Sequence, residues 1–450
     1  MVENITVNDR MVTIDTSIAK CPSHQEVLRL PASGVEAKHH ANETSAKDGH
    51  LLQTYMYKLR TYHKHPEGRI FAWMALILAG GMGLLSPILP NFIKSIMHTD
   101  SATSIFYSLM SIVTLIGATT SVIVFKKFQR TKIAKFGFIM LAVIYFLLVF
   151  VSKFIELTII IAAKTWLQVL LVITIALFIR DFAKSKNLGA EEGKHFKFQN
   201  IGAMIGMFLG GFLATKFSYE FIFVIAAAVL VVGFIYFYHE HAIKKHPAII
   251  NATKVDSQRF LNNIKRFFSD KERAKAYLIS LSMMSWMCFK YLYIPLYIVS
   301  SGYLESMAGL VLSMSIIPLI FLEIKVGDYA DKKGIQLPIS SGFLIVGILL
   351  LLIFFSPYPL LNFALVILAS FGTALIEPLS ETLLFKHLPK EEEDDLYGVF
   401  MTADPVASFI IPLIGAAILF FLPFKSLFAV FAGLMFIVSL YTWISLKPKS

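Results

Sequence analysis

The chain has 450 residues, 56% of them hydrophobic and only 16% charged, with phenylalanine alone occurring 40 times, a balance that excludes an ordinary water-soluble domain. Two cysteines, Cys21 and Cys288, leave no disulfide framework and no cysteine-based metal site. The formal net charge of +11 is carried in short basic clusters between apolar runs, which marks membrane topology rather than a nucleic-acid partner.

Residues 1–66 form a polar tail with Pro22, Pro31 and Pro66, too polar for a signal peptide and expected to be mostly disordered. Within it, Leu51 to Lys64 places Leu52, Tyr55, Met56 and Leu59 on one helical face among Lys58, Arg60 and Lys64. Such a segment either lies on an anionic leaflet or is a frayed helix without a role. From Arg69 onward, twelve apolar segments recur, at 69–95, 104–125, 134–152, 157–180, 198–216, 219–238, 276–299, 306–326, 336–356, 360–385, 397–421 and 424–446. Each matches the roughly 20 residues a helix needs to cross the hydrocarbon. Barrel strands are half as long and alternate, so the reading is an all-α integral membrane fold.

An even number of spans puts both ends on one side. Loops on that side carry Lys126, Lys127, Arg130, Lys132 and Lys135, then Arg180, Lys184, Lys186, Lys194 and Lys197, then a basic run from Lys244 to Lys275. The opposite loops offer only Lys94, Lys153, Lys216 and Lys425. Both termini are therefore predicted to be cytoplasmic, and the sequons at Asn4, Asn42 and Asn251 are chance matches. The charged stretch 239–275 divides the spans into two bundles, 67–238 and 276–446, with a short cytoplasmic end at 447–450. The halves echo each other. The first span ends in Pro87-Ile-Leu-Pro90 where the seventh has Ile294-Pro295, and Ala176 to Asp181 after the fourth finds a counterpart in Ala374 to Pro378 of the tenth.

On these residues the sequence resembles members of the major facilitator superfamily over about residues 69–446. The best match is Gly327-Asp-Tyr-Ala-Asp331-Lys332-Lys-Gly334, similar to that family's cytoplasmic signature. The resemblance implies a gate latch formed by Gly327, Asp331, Lys332 and Gly334, with the glycines permitting a tight turn, and a further gate role for Arg180 and Asp181. The equivalent first-half loop, Phe125 to Lys132, keeps the basic residues but lacks the Gly and Asp. Pro87 and Pro90 resemble the paired prolines of the drug:proton antiporter branch. Gly202, Gly206 and Gly210 resemble its antiporter motif, although Met207 stands where a proline usually follows the central glycine. Spaced by four, these glycines also allow plain close packing on a neighbouring helix. The fourth span carries Lys164-Thr-Trp166-Leu-Gln168 where the family has an arginine motif. The fold implied is twelve helices in two pseudo-symmetric six-helix bundles that rock around a central site.

Ionisable side chains at membrane depth are costly and mark function. Lys164, Lys290, Glu323, Glu377 and Asp404 qualify. The resemblance places the first, fourth, seventh and tenth spans around the cavity. There Lys164 and Lys290 would hold an anionic or acidic amphiphilic substrate with aromatic faces from Trp166, Trp286, Tyr291 and Tyr297. Alternatively Lys290 pairs with Glu377, and Lys164 snorkels outward. Glu377, beside the break expected at Pro378, is the first proton-coupling candidate and Asp404 the second; Glu323 and Glu381 lie nearer the interface. No catalytic constellation, HExxH motif, metal site or cofactor is expected. The expected function is secondary transport of a small organic solute, proton-coupled and leaning to efflux of an amphiphilic or anionic compound, by a monomer in the cell membrane. The alternatives are uptake or facilitated diffusion of a metabolite, a transport-inactive receptor, or a membrane enzyme.

Overall fold

A computed structural model describes residues 4–7, 10–13, 66–182, 188–239, 260–388 and 393–446. The amphipathic stretch Leu51 to Lys64 lies outside them. Two units separate at Lys64. In the first, β1 (Asn4–Val7) and β2 (Arg10–Thr13) pair antiparallel with Asn4 opposite Thr13 and Val7 opposite Arg10. The β-branched residues Ile5, Thr6, Val7, Val12 and Thr13 suit such a ribbon.

The second unit is helical throughout its described residues. The first span is α1 (Pro66–Leu85) and α2 (Leu89–Met97); the second is α3 (Asp100–Lys127), the third α4 (Arg130–Leu147), and the fourth α5 (Phe154–Phe182). The fifth is α6 (Leu188–Lys216) and the sixth α7 (Tyr219–His239), followed by a short helix α8 (Phe260–Phe268). The seventh span is α9 (Lys271–Ser300), the eighth α10 (Glu305–Met314) with α11 (Ile317–Lys333), the ninth α12 (Gln336–Phe355) and the tenth α13 (Pro359–Lys386). The eleventh is α14 (Glu393–Phe400) with α15 (Ala403–Phe421), and the twelfth is α16 (Ser426–Ser445). Eleven of these segments are long and apolar enough to cross a membrane by length and composition. The twelfth segment, α9, is equally long but more polar, and it buries Ser280, Ser282, Ser285 and Lys290 against protein rather than lipid.

Proline placement decides where spans break. Pro87 has no N–H and its ring opposes the Gly83 carbonyl, so α1 stops at Leu85; Pro90 then sits in the first turn of α2, where its missing donor costs nothing. Two expectations need correction. Pro378 does not break the tenth span, since α13 runs continuously through it, and the proline only releases the Ala374 carbonyl from its usual partner. Gly327 is not in a turn: α11 continues to Lys333, and Gly334 alone ends it with φ 90°.

The two halves repeat one packing scheme. In the first, spans one and five, three and six, three and four, and two and four pack together; in the second, seven and eleven, nine and twelve, nine and ten, and eight and ten do the same. Each half has its own core, around Phe138, Tyr145, Phe178 and Phe223 in the first and Trp286, Phe289, Tyr293 and Phe343 in the second. Spans two with eleven and five with eight join the halves. Gly202, Gly206 and Gly210 lie against the backbone of Leu76, Gly80 and Leu84 in the first span, leaving no room for a side chain. This brings two backbones into direct contact, the geometry small residues provide in a membrane.

At the start of α9, the Asp270 carboxylate accepts from the backbone N–H groups of Glu272 and Arg273, both at 2.9 Å. Those bonds hold its carboxyl below the ordinary aspartate range. A lowered folded value stabilises the helix above the unfolded carboxylate's titration and is lost as pH falls through the folded value. Asp270→Ala is expected to cost about 1 kcal/mol, read as a lower thermal midpoint at neutral pH, with the difference from the parent shrinking at strongly acidic pH.

Candidate functional site

The contacts between the halves gather at one end. Asn91 Nδ2 donates to the Pro295 carbonyl at 3.3 Å, Ser101 Oγ to Ala416 at 3.0 Å and Ser108 Oγ to Phe409 at 2.8 Å. Tyr293 OH donates to Ser104 Oγ at 3.0 Å, Tyr219 OH to Glu305 at 2.6 Å, and Ser306 N–H to Thr215 Oγ1 at 3.0 Å. Gly211 and Gly309 meet backbone to backbone: a Cβ on Gly309 would stand 2.5 Å from the Met207 carbonyl and 2.8 Å from Gly211 Cα. All these residues lie in the half of the bundle away from Pro66 and Ser445, where its helices begin and end. Toward the other end, no hydrogen bond or ion pair between described residues joins the halves. Among the described residues, the polar contacts between the halves are confined to the first of these two ends.

The ionisable residues form two layers within the bundle. Lys164 lies about three turns after Phe154, and Lys290 about three turns before Ser300. Both are therefore nearer the joined end. Glu323, Glu377 and Asp404 lie about three turns from the opposite end of their spans. Asp404 is exposed, Glu323 and Glu377 are half-buried, and Lys290 retains 1% exposure.

The six residues expected to bind substrate separate on inspection. Trp286 is buried in the second-half core, where its Nε1 donates to Thr373 Oγ1 at 2.8 Å and its ring stacks on Phe289. Tyr297 is buried too; its hydroxyl accepts from Asn362 Nδ2 at 2.8 Å and its ring stacks on Phe424. Trp166 Nε1 donates to Thr120 Oγ1 at 2.8 Å and so ties the fourth span to the second. These three act as braces within their own halves. Tyr291 instead reaches the seam, packing with Met207, Leu312 and Ile316 of spans five and eight. Lys290 turns its ammonium onto the Tyr291 ring, 5.0 Å from the centroid. The expected pairing with Glu377 does not form: no ion pair joins the two groups, and neither Lys290 Nζ nor Glu377 Oε2 has a hydrogen-bond partner.

Glu381, one turn on from Glu377, accepts from Tyr397 OH at 3.1 Å. Asp404 faces Ser408 Oγ at 3.5 Å, with the half-exposed Cys288 thiol beside them. In the expected latch, Asp331 and Lys332 are exposed and bond to no described residue, and Lys333 lies over the Tyr329 ring at 5.5 Å. The side chains of Arg180 and Asp181 lie outside the described residues. What sequence reasoning missed is the seam itself. Its signal was present in Ser101, Ser104 and Ser108, small residues on one face of the second span at helical spacing.

Among known proteins, the sequence profile of the Major Facilitator Superfamily matches residues 71–359 and 276–450. A Lactococcus lactis protein described as a multi-drug resistance efflux pump PmrA homolog is 26% identical over 250 residues, 54% of this chain and 59% of that protein. The Dickeya zeae multidrug resistance protein MdtG is 24% identical over 257 residues, 55% of this chain and 61% of its own length. The chain thus spans about three fifths of each of these relatives. In fold, the nucleoside transporter NupG superposes with a TM-score of 0.66 at 12% identity, covering 85% of this chain and all of that one. A peptide transporter, POT, in complex with sulfate gives 0.63 at 15% identity, covering 84% and 94%.

Proposed function

Because the chain belongs to the Major Facilitator Superfamily, we propose that it is a secondary carrier moving a small organic solute by alternating access, with Glu377 binding and releasing the coupling proton. The observation that carries this reading is a half-buried carboxylate in the tenth span without an ion-pair partner among the described residues, in a bundle whose halves are hydrogen-bonded to each other, among those residues, at the far end only. Such a group exchanges a proton with one side at a time. Asp404, exposed in the same layer, is the second proton carrier.

The direction is efflux and the substrate amphiphilic, in keeping with the two multidrug relatives. The anionic reading now rests on Lys164 alone, since Lys290 is enclosed. The protein works as a monomer in the cell membrane with both termini cytoplasmic, on the strength of its basic loops, and without covalent chemistry.

Purified protein in liposomes, given an imposed pH gradient and a lipophilic fluorescent dye, tests the coupling. Glu377→Gln is expected to abolish gradient-driven dye movement while leaving counterflow of the same dye intact. Gradient-driven movement that persists in this variant would remove Glu377 as the carrier. Labelling of single cysteines placed between Gly327 and Gly334 tests the orientation: reaction from outside the cell would overturn it.

A further inference from the structure

We propose that the groove between the ninth and twelfth spans is a phospholipid site: one acyl chain lies in the groove and the phosphate sits at the start of the ninth span. The inference is independent of the assignment of Glu377. The two spans run antiparallel, so the first turns of α12 oppose the last turns of α16, and a cavity of about 400 Å³ opens between them. Leu337 and Leu344 wall it on one side and Leu440 and Trp443 on the other, all four between 44% and 61% exposed. Its floor is deep because it is made of small residues, Ser340 and Ser439. Ser439 Oγ donates to the Ser340 carbonyl at 2.8 Å, Thr442 Oγ1 to Ser340 Oγ at 3.0 Å, and Ser341 Oγ to the Pro338 carbonyl at 3.1 Å. With these hydroxyls bonded inside the protein, the groove offers a ligand apolar contact. Left empty in a membrane it would forfeit dispersion contacts that a flexible hydrocarbon chain restores.

The rim selects the other end of the ligand. No side chain caps α12 at Ile335, so the first N–H groups of that helix are left for an outside acceptor. Lys332 and Lys333, both exposed, lie in the turn before Gln336, with Asp331 the one carboxylate beside them. Gln336 Nε2 donates to the Trp443 carbonyl at 2.6 Å and fixes the two helix ends to each other across the rim. The Trp443 indole N–H bonds to no described residue, and tryptophan is the side chain that membrane proteins place at the headgroup boundary. Two cations, an uncapped helix start and an indole donor thus surround the mouth of an apolar groove. That combination fits an anion carried on hydrocarbon, which is what a phospholipid is. A free phosphate would leave the groove empty, and an uncharged lipid would leave the rim unused.

Native mass spectrometry of detergent-purified full-length protein, with palmitoyl-oleoyl phosphatidylglycerol added stepwise, tests the site. The parent is expected to retain one such lipid about ten-fold more tightly than the diacylglycerol with the same chains. Ser341→Phe, which fills the groove and leaves the Ser340–Ser439 contact in place, is expected to weaken retention of phosphatidylglycerol about ten-fold. Ser341→Leu is the milder variant with the same expected direction. Lys332→Gln combined with Lys333→Gln is expected to bring the two lipids close to equal. Ile437→Phe adds bulk at a 67% exposed position of the twelfth span outside the groove and is expected to change nothing. The thermal unfolding midpoint of each variant checks that it is folded. No retained lipid in the parent, or diacylglycerol held as well as phosphatidylglycerol, would overturn the site. Retention that survives both folded Ser341 variants, or that Ile437→Phe lowers equally, would mean a lipid coating the bundle at large and would overturn it too. A dimer mass in lipid-free parent that the Ser341 variants abolish would make the groove an interface between two copies of the chain instead.

Discussion

Gly206→Val is expected to lower the stability of the protein by about 3 kcal/mol or more, the upper part of the range for overpacking a close-packed contact. A Cβ at this position would fall on the Gly80 carbonyl, with Gly83 Cα and the Leu84 nitrogen each 3.0 Å away. All three are backbone atoms, so no side-chain rotation relieves the clash and the first span must separate from the fifth. The spans on either side are already fixed by the first-half core. The measurement is the thermal unfolding midpoint in detergent. Gly433→Ala, at a helical glycine with no atom within 4 Å of its added Cβ, is the control and is expected to be neutral or slightly stabilising. A Gly206→Val midpoint equal to that of the control would show that the two spans are free to part.

Gly309→Val should act differently, because Gly309 meets its neighbour across the seam and not within a half. A valine there drives the eighth span off Met207 and Gly211 while leaving each half's own core untouched. The expected result is a shift in conformation with little loss of stability: the hydrogen-bonded end of the seam opens and the opposite ends of the halves approach each other. Cys288, half-exposed beside Asp404, reports the change. With Cys21 replaced by serine, maleimide added from the side of the termini should react with Cys288 several-fold more slowly in Gly309→Val than in the parent. Unchanged labelling together with a lowered unfolding midpoint would make Gly309 a simple packing residue.

Much of this architecture was legible from residue order. Apolar length delivered twelve spans, including α9, whose polar residues disguise it on composition alone. The motif glycines at 202, 206 and 210 could be placed on one face before their partner was known. What the sequence did not disclose was direction around each helix. Trp286, Lys290 and Tyr291 occupy one short stretch, yet the first is walled into the second half, the next is roofed over and the last looks across the seam. In a membrane helix polar and aromatic residues can face a sibling helix as well as a cavity, so residue type does not separate the cases. Prolines were ambiguous for a related reason. Pro87 and Pro378 both lie within apolar runs, but only the first ends a helix, because the loss of one backbone bond is tolerated wherever neighbouring helices hold the segment in place.

The polar part of the seam between the halves sets an energy scale. Among the described residues it consists of six hydrogen bonds, set beside one pair of facing glycines and the apolar contact of Met207 with Leu312 and Ile316. At the roughly 0.6 kcal/mol that such bonds average between membrane helices, the polar part amounts to about 4 kcal/mol. One proton descending a potential of about 100 mV releases about 2.3 kcal/mol, and each unit of pH difference adds about 1.4 kcal/mol. The hydrogen bonds between the halves are therefore of the same size as the energy a single proton can supply in an energised membrane, which is the scale the proposed proton coupling through Glu377 requires.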